Sequence, residues 1–274
     1  MNLLFSINDK FVDQLATVLF SIRLNTTPCD IDIYVIQEEK LRRTDELKAF
    51  CEKLNITYHP ILVDQDLFKN APTTDRYPTI IYYRLLAQEM LPADLHKVLY
   101  LDADVLAIND IQSLYNMNID NYIYASAIHS SITNTTEIIN KVRLQNFKSN
   151  GYYNSGVMLM NLDLARKKVK AQDIFDYIRS HTLLLPDQDV LNALYSQDIK
   201  EIPDELYNFD IRKDRIYEAI SSGEWDLDWV IQNTVILHFC GRDKPWYADN
   251  NKGRLTGLYK NYFHLTQKSL YKNN

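Results

Sequence analysis

The feature that most constrains this chain is the alternation in its first sixty residues. Leu3 to Ile7 is apolar enough for a buried strand. Asn8 and Asp9 then offer a helix start, and Phe11, Leu15, Val18, Leu19 and Ile22 keep a helical period through Arg23. Ile31 to Ile36 reads as a second strand, Leu41 to Leu54 as a charged helix, and Ile56 to Val63 as a third strand interrupted by Pro60. Strand, helix, strand, helix, strand implies an α/β fold: a mainly parallel central sheet flanked by helices. With 274 residues, 46% of them apolar, the chain can bury a sizeable core in one large domain, with or without an appendage.

Further on, Asp64 to Pro78 reads as a polar loop and Thr79 to Met90 as a helix ended by Pro92. Strands are expected in the segment Val98–Val105, where the strand carries Asp102, and at Tyr122–Ile128, Ser155–Leu162 and Thr234–Phe239. Ser130 to Thr136 is polar, with a helix expected from Glu137. Helices are expected over Leu164–His181 and Asp187–Tyr195, and Tyr207–Trp229 shows no period. The tail from Leu255 to Tyr271 has a helical pattern mixing aromatic and aliphatic residues with Lys260 and Lys268. It fits either a helix packed on the domain or one lying at a membrane surface.

Composition removes several classes. The formal charge of −6 argues against a general nucleic-acid binder. The three cysteines, Cys29, Cys51 and Cys240, form no Cys-x-x-Cys pair, so neither a zinc cluster nor a disulfide framework is indicated and a reducing cytoplasm is expected. The N-terminus lacks the pattern of a signal peptide, and no apolar run is long enough to span a bilayer. Neither a G-x-G-x-x-G fingerprint nor a Walker A loop occurs.

The chemistry concentrates in a few segments. In Val98-Leu99-Tyr100-Leu101-Asp102-Ala103-Asp104-Val105 an apolar strand runs into two carboxylates one residue apart. On extended backbone the side chains at i and i+2 share a face, so Asp102 and Asp104 are expected to converge. Two bare carboxylates repel unless a cation lies between them, and hard divalent ions take carboxylates together with substrate phosphates. The alternative is an ordinary Asp-rich turn.

A second segment, His238-Phe239-Cys240-Gly241-Arg242-Asp243-Lys244-Pro245-Trp246, ends an apolar strand. His238 offers a nitrogen ligand for the same ion, or is a structural histidine. Two carboxylates with an imidazole suit Mn²⁺ better than Mg²⁺. Gly241 allows close approach of a phosphate. Lys244 offers a point charge to a diphosphate, or is a surface lysine.

In a third segment, Pro186-Asp187-Gln188-Asp189, a helix start carries acceptors and donors suited to sugar hydroxyls, with Asp187 as a competing cap. Arg84 sits on an otherwise apolar segment and must pair with a carboxylate or a phosphate. Asn154 fits a sugar contact or an Asx turn. Asn8 and Asp9 fit nucleobase or ribose contacts, or a helix cap.

Taken in order and at these separations, the segments resemble the bacterial family 8 glycosyltransferases, the lipopolysaccharide galactosyl- and glucosyltransferases related to glycogenin. The residues that carry the resemblance are Leu3–Asp9, Tyr82–Leu86, Val98–Val105, Tyr153–Leu162, Leu185–Asn192 and the H-x-x-G-x-x-K-P-W run His238–Trp246. The resemblance implies a GT-A nucleotide-diphospho-sugar transferase fold over residues 1–250, with 251–274 as a helical tail. It implies Mn²⁺, with Mg²⁺ as an alternative, a UDP-galactose or UDP-glucose donor, and retention of configuration.

By position it assigns Asp102, Asp104 and His238 as metal ligands and Gly241 and Lys244 as diphosphate contacts. Asn8 falls at the uracil contact. Arg84, Ala103, Asn154, Asp187 and Gln188 fall at donor-sugar contacts, with Gln188 and Asp187 as the catalytic candidates. The acceptor expected is a cell-surface glycan, glycolipid or glycoprotein. The expected setting is cytoplasmic, with peripheral membrane contact through the tail as a variant. The competing readings are a sugar-nucleotide-binding protein with little or no transferase activity and a nucleotidyltransferase.

Overall fold

In a computed structural model, residues 1–63, 66, 68, 79–128, 151–247 and 253–271 are described. The segment expected to form a helix from Glu137, and most of the 64–78 loop, lie outside the described residues.

The expected alternation forms the larger sheet. β1 (Asn2–Ser6), β2 (Ile31–Gln37) and β3 (Ile56–Leu62) pair in parallel, and β1 also pairs in parallel with β4 (Lys97–Leu101). Beyond β5 (Val105–Ala107), the strands β6 (Tyr124–Ile128), β7 (Tyr153–Asn161) and β8 (Ile199–Ile202) complete the order β3-β2-β1-β4-β7-β6-β8. β7 runs antiparallel to both of its neighbours, so the sheet is mainly, not wholly, parallel.

α1 (Val12–Asn25) and α2 (Thr44–Lys53) cover one face of this sheet. Leu15, Val18, Leu19 and Ile22 share a core cluster with Leu3, Phe5, Ile33 and Leu99. Both faces of β1 are buried, which is why its residues are a continuous apolar run and do not alternate.

A second sheet builds the site. β5 pairs antiparallel with β10 (Ile236–His238), which pairs in parallel with β9 (Phe209–Asp210). His238 stands opposite Val105 in the first pairing and opposite Asp210 in the second. This register brings the end of β10 beside the aspartate pair.

Four expectations change. The segment Thr79–Leu86 is a 3-10 helix, with α-helix only over Ala87–Met90. Tyr82, Tyr83, Leu85 and Leu86 are all buried, so packing on every side overrides the α-helical preference.

The single helix expected over Leu164–His181 is two, α3 (Leu162–Lys168) and α4 (Ala171–Ser180). Val169 drops into the core in an extended conformation between them. The strand expected from Ser155 begins at Tyr153, so Asn154 lies within β7 and not in a turn before it.

The segment without period, Tyr207–Trp229, contains β9, α6 (Asp214–Ile220) and the start of α7 (Leu227–Asn233). These elements are too short to imprint a period. α7 is marked only by the Asp226 cap, whose side chain accepts from Trp229 N at 2.8 Å. Between α4 and α6, α5 (Pro186–Tyr195) starts with Pro186 in its first turn, as expected.

α8 (Thr256–Tyr271) lays its apolar face on the domain. Leu255, Tyr259 and Tyr262 join Leu106, Phe209, Leu237 and Phe239 in one cluster. Asn25 Nδ2 donates to Tyr262 Oη at 2.9 Å. Among the described residues no helix is long and apolar enough to cross a membrane.

Candidate active site

β4 ends at Leu101, and Asp102-Ala103-Asp104 forms the turn that passes the chain from the first sheet to the second. The carboxylates therefore do not converge through strand alternation. They converge because the turn is anchored on both sides: Asp102 N donates to Gly156 O at 2.8 Å, and Phe239 N donates to Asp104 O at 2.9 Å. One ligand atom from each of Asp102, Asp104 and His238 falls within 4.8 Å of the others.

His238 Nδ1 lies 2.7 Å from Asn208 Oδ1, and Nε2 lies 3.2 Å from Asp104 Oδ1. An imidazole that donates from Nδ1 to an amide oxygen presents the Nε2 lone pair for a metal. The donor set, two carboxylates and one oriented imidazole, fits a divalent ion of the Mn²⁺ type.

The charges are tightly interlocked. Asp104 also accepts from Lys244 Nζ, which reaches Phe239 O at 2.8 Å as well. Burial opposes ionisation of Asp104, but His238 and Lys244 hold its carboxyl well below the usual carboxylate range. Burial likewise opposes the charge on His238, yet Cys240 and Asp104 raise its pKa well above the ordinary value.

On the other side, Asp102 Oδ1 accepts from Tyr100 Oη at 2.7 Å and pairs with Arg84 Nη1 at 2.9 Å. Burial keeps the Tyr100 hydroxyl protonated and able to donate. Arg84 Nη1 also lies 3.3 Å from Asp187 Oδ2 and donates to Ser155 O at 3.1 Å. The guanidinium thus links the aspartate turn to the first turn of α5.

A cavity of about 370 Å³ opens over this turn. Its lining includes Asn8, Phe11, Ile80, Arg84, Asp102, Ala103, Asp104 and Lys244. Asn8, Arg84, Ala103 and Lys244 thus share one wall system with the two aspartates.

The α5 residues stand behind Arg84. Asp187 Oδ2 accepts from Ser155 Oγ at 2.7 Å, and Asn154 Nδ2 donates to Gln188 Oε1 at 3.4 Å. Arg84 Nε and Gln188 Nε2 are buried donors with no partner among the described residues. An unmet donor is costly inside a protein, and both are suited to a ligand hydroxyl.

Six predicted residues lie outside the cavity lining: Asp9, Asn154, Asp187, Gln188, His238 and Gly241. Asp9 is exposed, and its Oδ1 accepts from Arg42 N at 2.7 Å, outside the cavity lining. Gly241, at φ +91°, has the Arg212 guanidinium against it, with Nη1 3.1 Å from where a Cβ would stand. The close approach seen there is that of Arg212. Asn8 caps the turn before α1, its Oδ1 accepting from Lys10 N at 3.1 Å, while still lining the cavity.

Sequence reasoning missed Tyr100, Asn208, Ser155 and Gly156. Tyr100 had a signal, since it lies two residues before Asp102 at the end of the same strand. Asn208 had none, because it falls in the segment without period.

The model of the family described as "Glycosyl transferase family 8" matches residues 2–250. The chain is 27% identical over 252 residues to a lipopolysaccharide 1,2-glucosyltransferase of Escherichia coli, a match covering 90% of this chain and 73% of that protein. It is 24% identical over 279 residues to General stress protein A of Bacillus subtilis, covering 97% and 94%. Among solved structures it is similar to the galactosyltransferase LgtC in complex with donor and acceptor sugar analogues. The TM-score is 0.79 at 21% identity, covering 97% of this chain and 96% of that one. At that identity the likeness speaks for the fold, which is of the GT-A type.

Proposed function

The chain belongs to glycosyl transferase family 8, and from that premise we propose that it moves galactose or glucose from a UDP-sugar to a hydroxyl of a cell-surface glycan, glycolipid or glycoprotein, with Mn²⁺ bound and with retention of configuration. One observation carries the reading: Asp102, Asp104 and His238 converge on one point, and the two aspartates line a cavity together with Asn8, Arg84 and Lys244. The lipopolysaccharide glucosyltransferase and galactosyltransferase among its relatives and structural neighbours support a hexose donor and a glycan acceptor.

Asp102, Asp104 and His238 hold the ion, whose contribution when bound is a Lewis acid for the charge that develops on a leaving diphosphate. Lys244, already in the cavity wall, adds a cation for the same charge. Asn8, also in the cavity lining, is the residue proposed to read the uracil ring. Arg84 and Gln188 supply the buried donors for sugar hydroxyls, and Asn154 orients Gln188.

The chemistry of the α5 candidates Asp187, Gln188 and Asp189 favours front-face attack, in which the acceptor hydroxyl adds on the side the phosphate leaves and gives its proton to the departing phosphate oxygen. The amide of Gln188 is a poor nucleophile. The Asp187 carboxylate is engaged by Ser155 and Arg84. Asp189 is fully buried, accepting from the Tyr152 hydroxyl and from Leu184 N and Leu185 N. A sugar trapped covalently on Asp187 or Asp189 of the wild-type protein overturns this mechanism.

A cytoplasmic setting, with any membrane contact peripheral, fits three unpaired thiols and a tail helix whose aromatic face is spent on the domain. The test is a screen of UDP-sugars for metal-dependent UDP release, followed by the mass of the product. The expected result is release from UDP-galactose or UDP-glucose, with one hexose added to the acceptor. Silence with every donor and acceptor favours a sugar-nucleotide-binding protein. Pyrophosphate from UTP and a sugar phosphate favours a nucleotidyltransferase.

A further inference from the structure

Gly156 stands where the metal ligands close. On β7 its carbonyl accepts from Asp102 N at 2.8 Å, and its N–H donates to Asn154 Oδ1 at 2.8 Å. A Cβ at this position would lie 2.5 Å from His238 Cε1 and 2.6 Å from Asp102 Oδ2. Non-bonded carbon contacts have their optimum at roughly 3.5–4.0 Å, so neither approach is tolerable.

The backbone of Gly156 lies outside the left-handed region, so its conformation alone does not demand glycine. The demand is steric, and both atoms that make it are the tips of side chains in the metal-ligating set. Those tips are held by partners on other elements. His238 is pinned by Asn208 and Asp104, and Asp102 by Tyr100 and Arg84. A methyl group at residue 156 has no room unless the imidazole and the carboxylate give way.

We propose that Gly156 is a positioning residue for the divalent ion: its missing side chain is what lets Asp102 and His238 close on one metal. The inference rests on the metal site proposed above. The same peptide reaches Asn154, which holds Gln188, so the glycine also sets the spacing between the metal ligands and the sugar-binding side chains. Gly151 forms a contrast, since the nearest atoms to a Cβ there belong to the partly buried Ile128 side chain, 2.6 Å away.

The test titrates the full-length protein with Mn²⁺ alone and follows the free ion by electron paramagnetic resonance. Wild type, Gly156→Ala, His238→Ala and the double variant are compared, with thermal unfolding measured on each. Gly156→Ala is expected to weaken Mn²⁺ binding by about tenfold or more, the range seen when a ligand's supporting groups are lost. Its unfolding midpoint should stay within about 3 °C of wild type.

In the His238→Ala background the same substitution should cost less, because the ring it displaces is gone. If Gly156→Ala does not fold, the double variant is expected to fold as His238→Ala does. Misfolding of the double variant beside a folded His238→Ala overturns the inference, because the imidazole is then not what demands glycine. Equal Mn²⁺ binding by wild type and Gly156→Ala, or equal cost in both backgrounds, overturns this inference alone. A wild-type protein that binds no Mn²⁺ overturns the metal site and the inference with it.

Discussion

At the scale of single residues, Asp104 carries the most. Its carboxylate faces His238 on one oxygen and Lys244 on the other. Asp104→Ala is expected to abolish Mn²⁺-dependent UDP release while circular dichroism shows the fold retained, since the carboxylate sits at the rim of the core and not inside a packed cluster. Activity at the wild-type level would remove the metal assignment.

Cys51 gives an independent check on the first layer of packing. Burial pushes its thiol up to about 12. At pH 8 only roughly one thiol in ten thousand would then be the reactive thiolate. Iodoacetamide is expected to spare Cys51 in the folded protein and modify it once the chain is unfolded, as read by peptide mass spectrometry. Ready labelling of native Cys51 would place α2 elsewhere.

The residue types at the site were legible because their chemistry is unusual for their place: carboxylates at the end of a buried strand, and a histidine at the end of another. The route to their convergence was not. It depends on hydrogen bonds to Gly156 and Phe239, which the spacing of two aspartates does not encode.

At the scale of elements, α5 is placed by one asparagine. Asn192 Oδ1 accepts from Tyr153 N at 2.6 Å, and its Nδ2 donates to Tyr153 O and Gln188 O, both at 2.8 Å. The helix that bears Asp187 and Gln188 is thereby registered against the strand that bears Asn154. Asn192→Ala removes the side-chain partner of the Tyr153 N–H and of the Tyr153 and Gln188 carbonyls, at a cost of about 2–4 kcal/mol. Urea unfolding should report that loss, and a change below about 0.5 kcal/mol would show that the helix is held by apolar packing alone.

Long apolar strands and α1 were readable from periodicity, because each buries a face wide enough to leave a pattern. The 3-10 segment Thr79–Leu86, the break at Val169 and the short elements after Tyr207 were not. Each is dictated by what it packs against, and the one signal among them, Gly223 at φ +89° after α6, marks an end and not a start.

At the scale of the whole molecule, the site is a seam between two sheets. Asp104 and Lys244 meet across 140 residues of chain because β5 and β10 pair next to the aspartate turn. α8 braces the seam from outside, with the ring of Tyr259 5.0 Å from Phe239 and 5.6 Å from Trp246. Lys244 Nζ in turn lies 5.7 Å from the centre of the Trp246 ring. The helix beyond the region matched by the family therefore supports the loop that carries Lys244.

The central claim is that Asp102, Asp104 and His238 hold a divalent ion against a leaving UDP. Crystals grown with Mn²⁺ and UDP, measured for manganese anomalous scattering, test it directly. The predicted result is a peak shared by the two aspartates and His238 Nε2, with Lys244 turned from Asp104 to the diphosphate. Bound UDP with no manganese peak at those three residues, and with Lys244 still on Asp104, would contradict it.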